Sequence, residues 1–158
     1  MNYSFLRNSF KPECVRILFV GESVPQNGTF FYMGNSNLYR YTQAAFVDVG
    51  IEFSLEQFMK YGCWIYDVCD VPVNGLTRVQ RRESISNALP QLFATIGILK
   101  PEFIIVVKKG DMQKIVFRAV CEKCGYLVEA TAFNLPFPSF GNQLKYQEKL
   151  SEIIRRIL

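Results

Sequence analysis

Short apolar runs of strand length, separated by longer amphipathic segments, are the feature of this sequence that most constrains its fold. Residues 15–20, 64–68 and 103–107 form such runs, and residues 126–130 form a fourth. A mostly apolar strand is typical of a sheet that is buried on both faces, and such sheets contain parallel strands covered by helices. The sequence therefore predicts four strands at these places.

The segments between the apolar runs have the spacing of amphipathic helices. Asn37, Asp111 and Asn142 are predicted to begin three of them, because asparagine and aspartate favour the first position of a helix. The predicted helices span residues 37–49, 55–60, 78–99, 111–122 and 142–158. Strands that alternate with helices indicate an α/β fold. We predict one domain, residues 1–158, built as a three-layer α/β/α sandwich around a four-stranded, mostly parallel sheet.

The loops that follow the predicted strands are where we expect the functional residues. In an open parallel sheet the binding crevice lies beyond the carboxyl ends of the strands. The loops at those ends are rich in glycine, proline, asparagine and aromatic residues, and they span residues 22–36, 70–75, 108–110 and 133–141.

Charge and hydropathy narrow the class of protein. The chain has 158 residues and a net charge of +4 at neutral pH, which is compatible with a polyanionic partner. It contains no apolar run near the ~20 residues needed to span a bilayer. Its first residues also lack the apolar stretch of a signal peptide. We therefore expect a cytoplasmic protein that does not enter a membrane.

Five cysteines and no histidine limit the metal chemistry that the chain could support. An odd number of cysteines argues against a complete disulfide framework. Cys121 and Cys124 form a single C-x-x-C motif, whereas a structural zinc site needs four ligands. We expect reduced thiols and no bound metal.

Four segments, taken in order, resemble the mismatch-specific uracil-DNA glycosylases. In residues 17–51 a strand ends at a Gly-containing turn, followed by a Gly/Thr/Phe loop and a helix start that contains asparagine. Residues 64–73 and 100–110 resemble the family's next two strands, and residues 135–143 resemble its second signature loop, Leu-Pro-Asn-Pro-Ser-Gly. The resemblance implies the fold of the uracil-DNA glycosylase superfamily, DNA as the partner, no cofactor and a monomer.

The resemblance also assigns roles to individual positions. The catalytic residues would be Glu22 and Ser23. The extruded base would contact Gly21, Phe30, Tyr32 and Asn37. The DNA would be held by Lys108, Phe137, Pro138, Ser139, Phe140, Asn142 and Gln143.

This sequence departs from the family pattern in both signature motifs. Ser23 stands where the family has the asparagine or aspartate that positions the hydrolytic water, although one branch of the superfamily places glutamate before it, as Glu22 does here. In the second loop Phe137 replaces asparagine and Phe140 replaces glycine, while Pro138 and Ser139 match.

The chemistry of base excision explains why these residue types matter. The enzyme must extrude a nucleotide, receive the base on an aromatic face and fill the gap in the duplex with an apolar wedge. Phe30 or Tyr32 would supply the face, and Phe137 and Phe140 the wedge. Bond cleavage develops positive charge on the sugar, which a carboxylate can stabilise. Our hypothesis is that Glu22 is this carboxylate and Ser23 orients the water.

Other functions and simpler roles remain open at this stage. The protein could be a catalytically silent nucleic-acid-binding member of the superfamily, or a hydrolase of a free nucleoside or nucleotide. Glu22 could only cap loop amides, Phe30 and Tyr32 could only pack in the core, and Phe137 and Phe140 could only anchor their loop. An ordinary helix surface without DNA contact would likewise explain three arginines, Arg78, Arg81 and Arg82.

Two further alternatives concern acidic and sulfur ligands. Asp67 and Asp70 flank the end of the second predicted strand and form a fallback acid–base pair. Some members of the superfamily bind an iron–sulfur cluster through four cysteines, and the resemblance would offer the set Cys63, Cys69, Cys121 and Cys124.

Overall fold

A central parallel sheet organises the chain, as the alternation of strands and helices predicts. The computed structural model describes residues 2–26 and 28–158. Its strands are β1 (Ile17–Ser23), β2 (Cys63–Cys69), β3 (Phe103–Val107) and β4 (Ala132–Leu135), in the spatial order β2-β1-β3-β4. All three strand pairings are parallel. The predicted α/β/α sandwich with a four-stranded sheet is therefore confirmed.

Six α-helices accompany the sheet in the described part of the chain. They are α1 (Tyr3–Ser9), α2 (Asn37–Asp48), α3 (Leu55–Lys60), α4 (Arg78–Leu99), α5 (Arg118–Cys124) and α6 (Gln143–Ile157). A short 3₁₀ turn, Phe31–Met33, precedes α2, and a π-helical segment, Met112–Phe117, leads into α5. None of these helices is both long enough and apolar enough to cross a membrane.

The helices form the two outer layers. Helix α2 packs against α6, where the hydroxyl groups of Thr42 and Tyr146 share a buried hydrogen bond of 2.7 Å. Helix α3 joins this layer through the ring of Phe58, which lies 5.4 Å from the ring of Phe19 on β1. Helix α4 contacts both β2 and α5 in the other layer. The apolar strands thus lie between two helical layers, as their composition requires.

The starts of three helices differ from the prediction. Ser36 caps α2, because its hydroxyl oxygen accepts from the amide of Tyr39 at 3.1 Å, and Asn37 is the first helical residue. Asp111 has helical dihedral angles and no capping hydrogen bond. Asn142 precedes α6 but its side chain also makes no capping hydrogen bond. The three predicted caps all have a side chain that suits the N-cap position, but the conformation of the neighbouring backbone decides which residue occupies it.

The fourth strand lies later in the chain than predicted. Residues 126–130 form a turn in which Leu127 and Val128 are exposed and the Leu127 amide donates to Thr131 Oγ1 at 2.8 Å. The strand is Ala132–Leu135, and all four of its side chains are buried. The positive φ of Glu129, 59°, bends the chain before the strand. Two adjacent apolar segments compete for this place, and pairing with β3 selects the second.

The free edge of β2 is closed by a side chain. Among the described residues, strand β2 pairs with β1 alone, so every second amide on its other edge lacks a strand partner there. One of these, the amide of Ile65, donates to the hydroxyl oxygen of Tyr32 at 2.8 Å in the protein interior. Tyr32 is 2% exposed. This tyrosine therefore satisfies a buried donor that would otherwise remain unpaired.

Replacing Tyr32 with phenylalanine tests this role. We expect Tyr32→Phe to lower the free energy of unfolding by about 1–3 kcal/mol, because the Ile65 amide loses its only acceptor in a buried place. Urea denaturation measures the change. The matched control is Tyr41→Phe at a half-buried tyrosine on α2, for which we expect a change within about 0.5 kcal/mol. Equal losses in the two variants would contradict the edge-capping role.

Candidate functional site

A carboxylate held by two cations lies at the end of the central strand. Glu22, near the end of β1, accepts from Arg81 Nε at 3.0 Å on Oε2 and from Arg81 Nη2 on Oε1. Lys108 Nζ also donates to Oε1, at 2.8 Å. The Glu22 side chain is only 11% exposed. We call these three residues the Glu22 cluster; it joins β1 to the first turns of α4 and to the residue after β3.

A strained turn places Lys108 in this cluster. Lys108 has φ of 94°, a conformation that side-chain-bearing residues seldom adopt. Its amide donates to the carbonyl of Leu135 at 2.7 Å, and its own carbonyl accepts from Asn134 Nδ2 at 3.0 Å. The same Nδ2 donates to the carbonyl of Val106 at 3.0 Å. The buried Asn134 on β4 thus holds the turn that directs Lys108 toward Glu22.

The cluster favours the ionised form of Glu22. Burial alone would raise the pKa of this carboxyl, but hydrogen bonds from Arg81 and Lys108 and the charges of these two residues outweigh burial and lower its pKa. At neutral pH the carboxylate is therefore ionised and a weak proton acceptor. With two cations around one anion, the cluster carries a net positive charge. It suits a phosphate or another anion, and Glu22 binds side-chain cations instead of the loop amides that the simpler interpretation offers.

A second carboxylate lies on the neighbouring strand in a different environment. The Asp67 side chain on β2 is buried, and its Oδ2 lies 3.6 Å from Arg7 Nη1. Burial raises the pKa of Asp67 to about 6, Arg7 opposes this effect and Asp70 adds to it. Gly21 pairs with Asp67 across the strands, and a Cβ atom on Gly21 would lie 2.6 Å from Asp67 Oδ1. The absence of a side chain at Gly21 therefore gives this carboxylate its place.

The aromatic residues expected to receive a base are buried in this conformation. Phe30 and Tyr32 are 5% and 2% exposed. The ring of Tyr3 lies 4.8 Å from that of Phe30, and the ring of Phe10 stacks on that of Tyr32 at 5.6 Å. Residues of α1 and its end cover both rings, as the simpler interpretation of core packing expects. The base-binding role of Phe30 and Tyr32 stays a prediction.

Two other predicted contacts lie near this region. Ser23 is half-buried at the end of β1, opposite Cys69 of β2. Asn37 is half-buried, and its Oδ1 accepts from Arg40 within the first turn of α2. This hydrogen bond occupies part of the Asn37 side chain on its own helix. The catalytic role of Ser23 stays a prediction.

The loop after β4 combines a buried anchor with a fully exposed ring. Pro138 is buried, whereas Phe140 is 99% exposed and has φ of 51°. Phe137 is exposed to a lesser degree. Pro138 therefore anchors the loop, and the simpler interpretation of Phe140 as an anchor is wrong. The Phe140 side chain is therefore free to contact a partner.

Backbone groups of this loop are less available to phosphate than predicted. The Ser139 amide donates to the carbonyl of Phe137 at 2.8 Å, and the Asn142 amide donates to the carbonyl of Ser139 at 3.0 Å. These two amides are therefore engaged within the loop. Gln143 begins α6, whose first amides have no acceptor inside the helix and stay candidates for a phosphate contact.

The sheet order places these groups along one edge. Asp67 lies near the end of β2, Glu22 lies near the end of β1, Lys108 follows β3 and the Phe140 loop follows β4. Three strand spacings separate the outer two, a span of roughly 14 Å. Sequence reasoning named a residue at each of these four places but missed the partnership of Arg81 with Glu22, since 59 residues separate them. It also missed Asn134, because no motif marks a residue that holds a turn.

The cysteines do not form the metal site that the resemblance offered. Cys63 and Cys69 are the first and last residues of β2, which places them about 20 Å apart, too far for one cluster. Cys121 and Cys124 lie on α5. Within residues 2–26 and 28–158, no group of three or more cysteine, aspartate or glutamate side chains is placed to hold a metal ion.

Comparison with known proteins supplies no further assignment. Neither the models of known protein families nor the curated protein sequences contain a match to this chain.

The pH dependence of stability should report the Glu22 cluster. A carboxyl whose pKa is lowered by folding contributes stability at neutral pH that is lost as the pH falls below its ordinary value of 4.5. We therefore expect the wild type to lose more stability between pH 5 and about pH 3 than Glu22→Gln does, measured by urea denaturation. Glu83→Gln, at an exposed position on α4, should follow the wild type. Parallel pH curves for wild type and Glu22→Gln would contradict the assignment.

The close approach of Asp67 to Gly21 gives another prediction. Gly21→Ala should destabilise the protein by about 1–3 kcal/mol, because the new methyl group would displace a buried carboxylate from its contact with Arg7. The control is Gly97→Ala in α4, where a Cβ atom meets nothing within 4 Å. That change should stabilise the helix by about 0.5–1 kcal/mol. A Gly21→Ala variant as stable as the control would mean that Asp67 moves freely.

Proposed function

We propose that this protein is a DNA glycosylase of the uracil-DNA glycosylase type. It would bind DNA at the carboxyl edge of its sheet and excise uracil or another deaminated or damaged base by hydrolysing the N-glycosidic bond. The observation that carries this proposal is the combination, on one edge, of the positively charged Glu22 cluster with the fully exposed Phe140. Action in the cytoplasm as a monomer, without a cofactor, is part of the proposal.

The exposed ring supports a DNA partner. Folding gains nothing from Phe140, since the side chain stays in water. Insertion between base steps removes such a ring from water and fills the space left by an extruded nucleotide. The positive charge of the cluster attracts the phosphate backbone, and Lys108, the most exposed member of the cluster, is the side chain best placed to contact it.

The charges of the edge also match the bond that breaks. Hydrolysis adds water to the sugar carbon, and the base departs with the bonding electrons before it takes up a proton. Positive charge develops on the sugar, where an ionised carboxylate such as Glu22 is stabilising, and negative charge develops on the base, where Arg81 and Lys108 are stabilising. Burial raises the pKa of Asp67 to about 6, so a minor fraction of this carboxyl is protonated at neutral pH, and that form can donate a hydrogen bond.

A second candidate function is a catalytically silent DNA-binding protein of the same fold. The bonding of Glu22 to two cations favours it, because their positive charges offset the carboxylate that would stabilise the sugar. The burial of Phe30 and Tyr32 favours it as well, since the base then has no open face to stack on.

A cleavage assay separates the two candidates. Labelled oligonucleotides that carry one uracil, in single-stranded, U·G and U·A forms, are incubated with the protein and treated with alkali to cut at abasic sites. We expect cutting by the wild type, loss of at least ~100-fold in rate for Glu22→Gln, and normal rates for Glu83→Gln. Cutting by the wild type that is unchanged in Glu22→Gln would contradict the role of Glu22.

Binding is measured on the same oligonucleotides by fluorescence anisotropy. Phe140→Ala and Lys108→Ala should each weaken binding, and Lys108→Ala should also reduce the salt dependence by about one phosphate contact. The control is Ile98→Ala, at an exposed isoleucine near the far end of α4. Binding without cutting of uracil, hypoxanthine or xanthine substrates would establish the silent protein, and the absence of binding would overturn both candidates.

A further inference from the structure

Helix α1 covers the aromatic residues that a base would meet. Tyr3 on α1 contacts the ring of Phe30, with 4.8 Å between ring centroids. Phe10, directly after α1, stacks on Tyr32 with ring planes only 12° from parallel. We propose that α1 is a displaceable cover, and that DNA binds with α1 lifted away from Phe30 and Tyr32. The inference rests on the proposed function, because it names how that same site opens.

The helix itself contributes little to its own stability. It has seven residues, and isolated helices shorter than ~12 residues are marginal in water. Arg7 is its only buried residue, and Phe5 is 72% exposed. The position of α1 therefore depends on a few contacts with the body of the protein: the side chains of Tyr3, Leu6, Arg7 and Phe10, and the hydrogen bond that Trp64 donates to the Arg7 carbonyl.

The contact made by Arg7 is incomplete. The residue is 5% exposed, yet its Nε and Nη1 atoms have no hydrogen-bond partner among residues 2–26 and 28–158. Its Nη1 lies 3.6 Å from Asp67 Oδ2, beyond hydrogen-bonding distance. The guanidinium instead lies over the rings of Trp64 and Tyr66, at 5.8 and 5.4 Å. Because buried donors without acceptors are costly, lifting α1 returns these groups to water and recovers part of the cost of opening.

A cleft already separates α1 from the neighbouring loops. It has a volume of about 500 Å³ and is lined by Asn2, Tyr3, Ser4, Val24 and Asp70. Val24 follows β1 and Asp70 follows β2, so the cleft opens at the carboxyl edge of the sheet, where DNA is proposed to bind. Outward movement of α1 would carry Tyr3 away and widen this cleft toward the ring of Phe30 that Tyr3 now covers.

Trp64 provides a direct signal for this movement. It is the only tryptophan of the chain, and its Nε1 donates to the carbonyl of Arg7 at 3.1 Å. The Arg7 guanidinium and the Lys11 ammonium both lie over its ring. Displacement of α1 would expose the indole to water and shift its fluorescence emission to longer wavelength.

The experiment compares Phe10→Ala with Phe5→Ala, two phenylalanine truncations that differ in their contact with the core. Phe10→Ala removes the ring that stacks on Tyr32, so its emission should already be red-shifted without DNA, while the protein still unfolds cooperatively. Because a larger fraction is then open, it should bind the uracil oligonucleotide about tenfold more tightly. Phe5→Ala should match the wild type, whose emission should shift only when DNA is added.

Each other outcome is decisive. Wild-type binding by anisotropy with no change in Trp64 emission would overturn the cover while leaving the proposed function intact. If no DNA binds, amide hydrogen exchange tests the cover without it. The α1 amides should exchange faster in Phe10→Ala than in Phe5→Ala, whereas the β3 amides should exchange at the same rate in both variants. Emission and exchange unchanged in Phe10→Ala, or loss of its cooperative unfolding, would show that α1 is a fixed part of the core and overturn the proposal.

Discussion

The parallel pairing of β1 on both of its sides is the constraint on which the rest of this structure depends. The side chains of Ile17–Val20 are buried between the two helical layers, and Gly21 and Glu22 follow them before the strand ends at Ser23. Successive residues of a strand face opposite sides of a sheet. Gly21 therefore leaves room for Asp67 on one side, while Glu22 reaches Arg81 and Lys108 on the other. Two adjacent residues thus create two separate polar environments.

These environments shift the two carboxyl groups in opposite directions. Burial raises the pKa of Asp67 because its single cation, Arg7, is too weakly placed to offset it. Two cations bonded to Glu22 lower the pKa of that carboxyl despite its burial. Pairs of carboxyls with divergent pKa values are a recurrent feature of hydrolytic sites, since one can hold a proton while the other stays charged. The strained turn at Lys108, held by Asn134, maintains this arrangement at some cost in backbone energy.

The same aromatic contacts that complete the core also limit access to it. Tyr32 serves the sheet edge through its hydroxyl group and meets Phe10 through its ring, so its two ends have different partners. Only the hydroxyl contact is needed to satisfy the Ile65 amide on the free edge of β2. The ring contact comes from Phe10, directly after α1, a short helix that carries an incompletely bonded arginine. The Tyr32 hydroxyl can therefore keep its structural role at the sheet edge while the Tyr32 ring is uncovered.

The sequence by itself determined the α/β class, the three apolar strands and the sheet edge on which the candidate residues lie, because hydrophobic periodicity is a local property. It also singled out Glu22 and the Phe140 loop. Only the tertiary structure decided which of two apolar segments became β4, that Arg81 bonds to Glu22, and that α1 covers Phe30 and Tyr32. These depend on contacts between residues far apart in the chain, and no local pattern of side chains records which distant groups will meet.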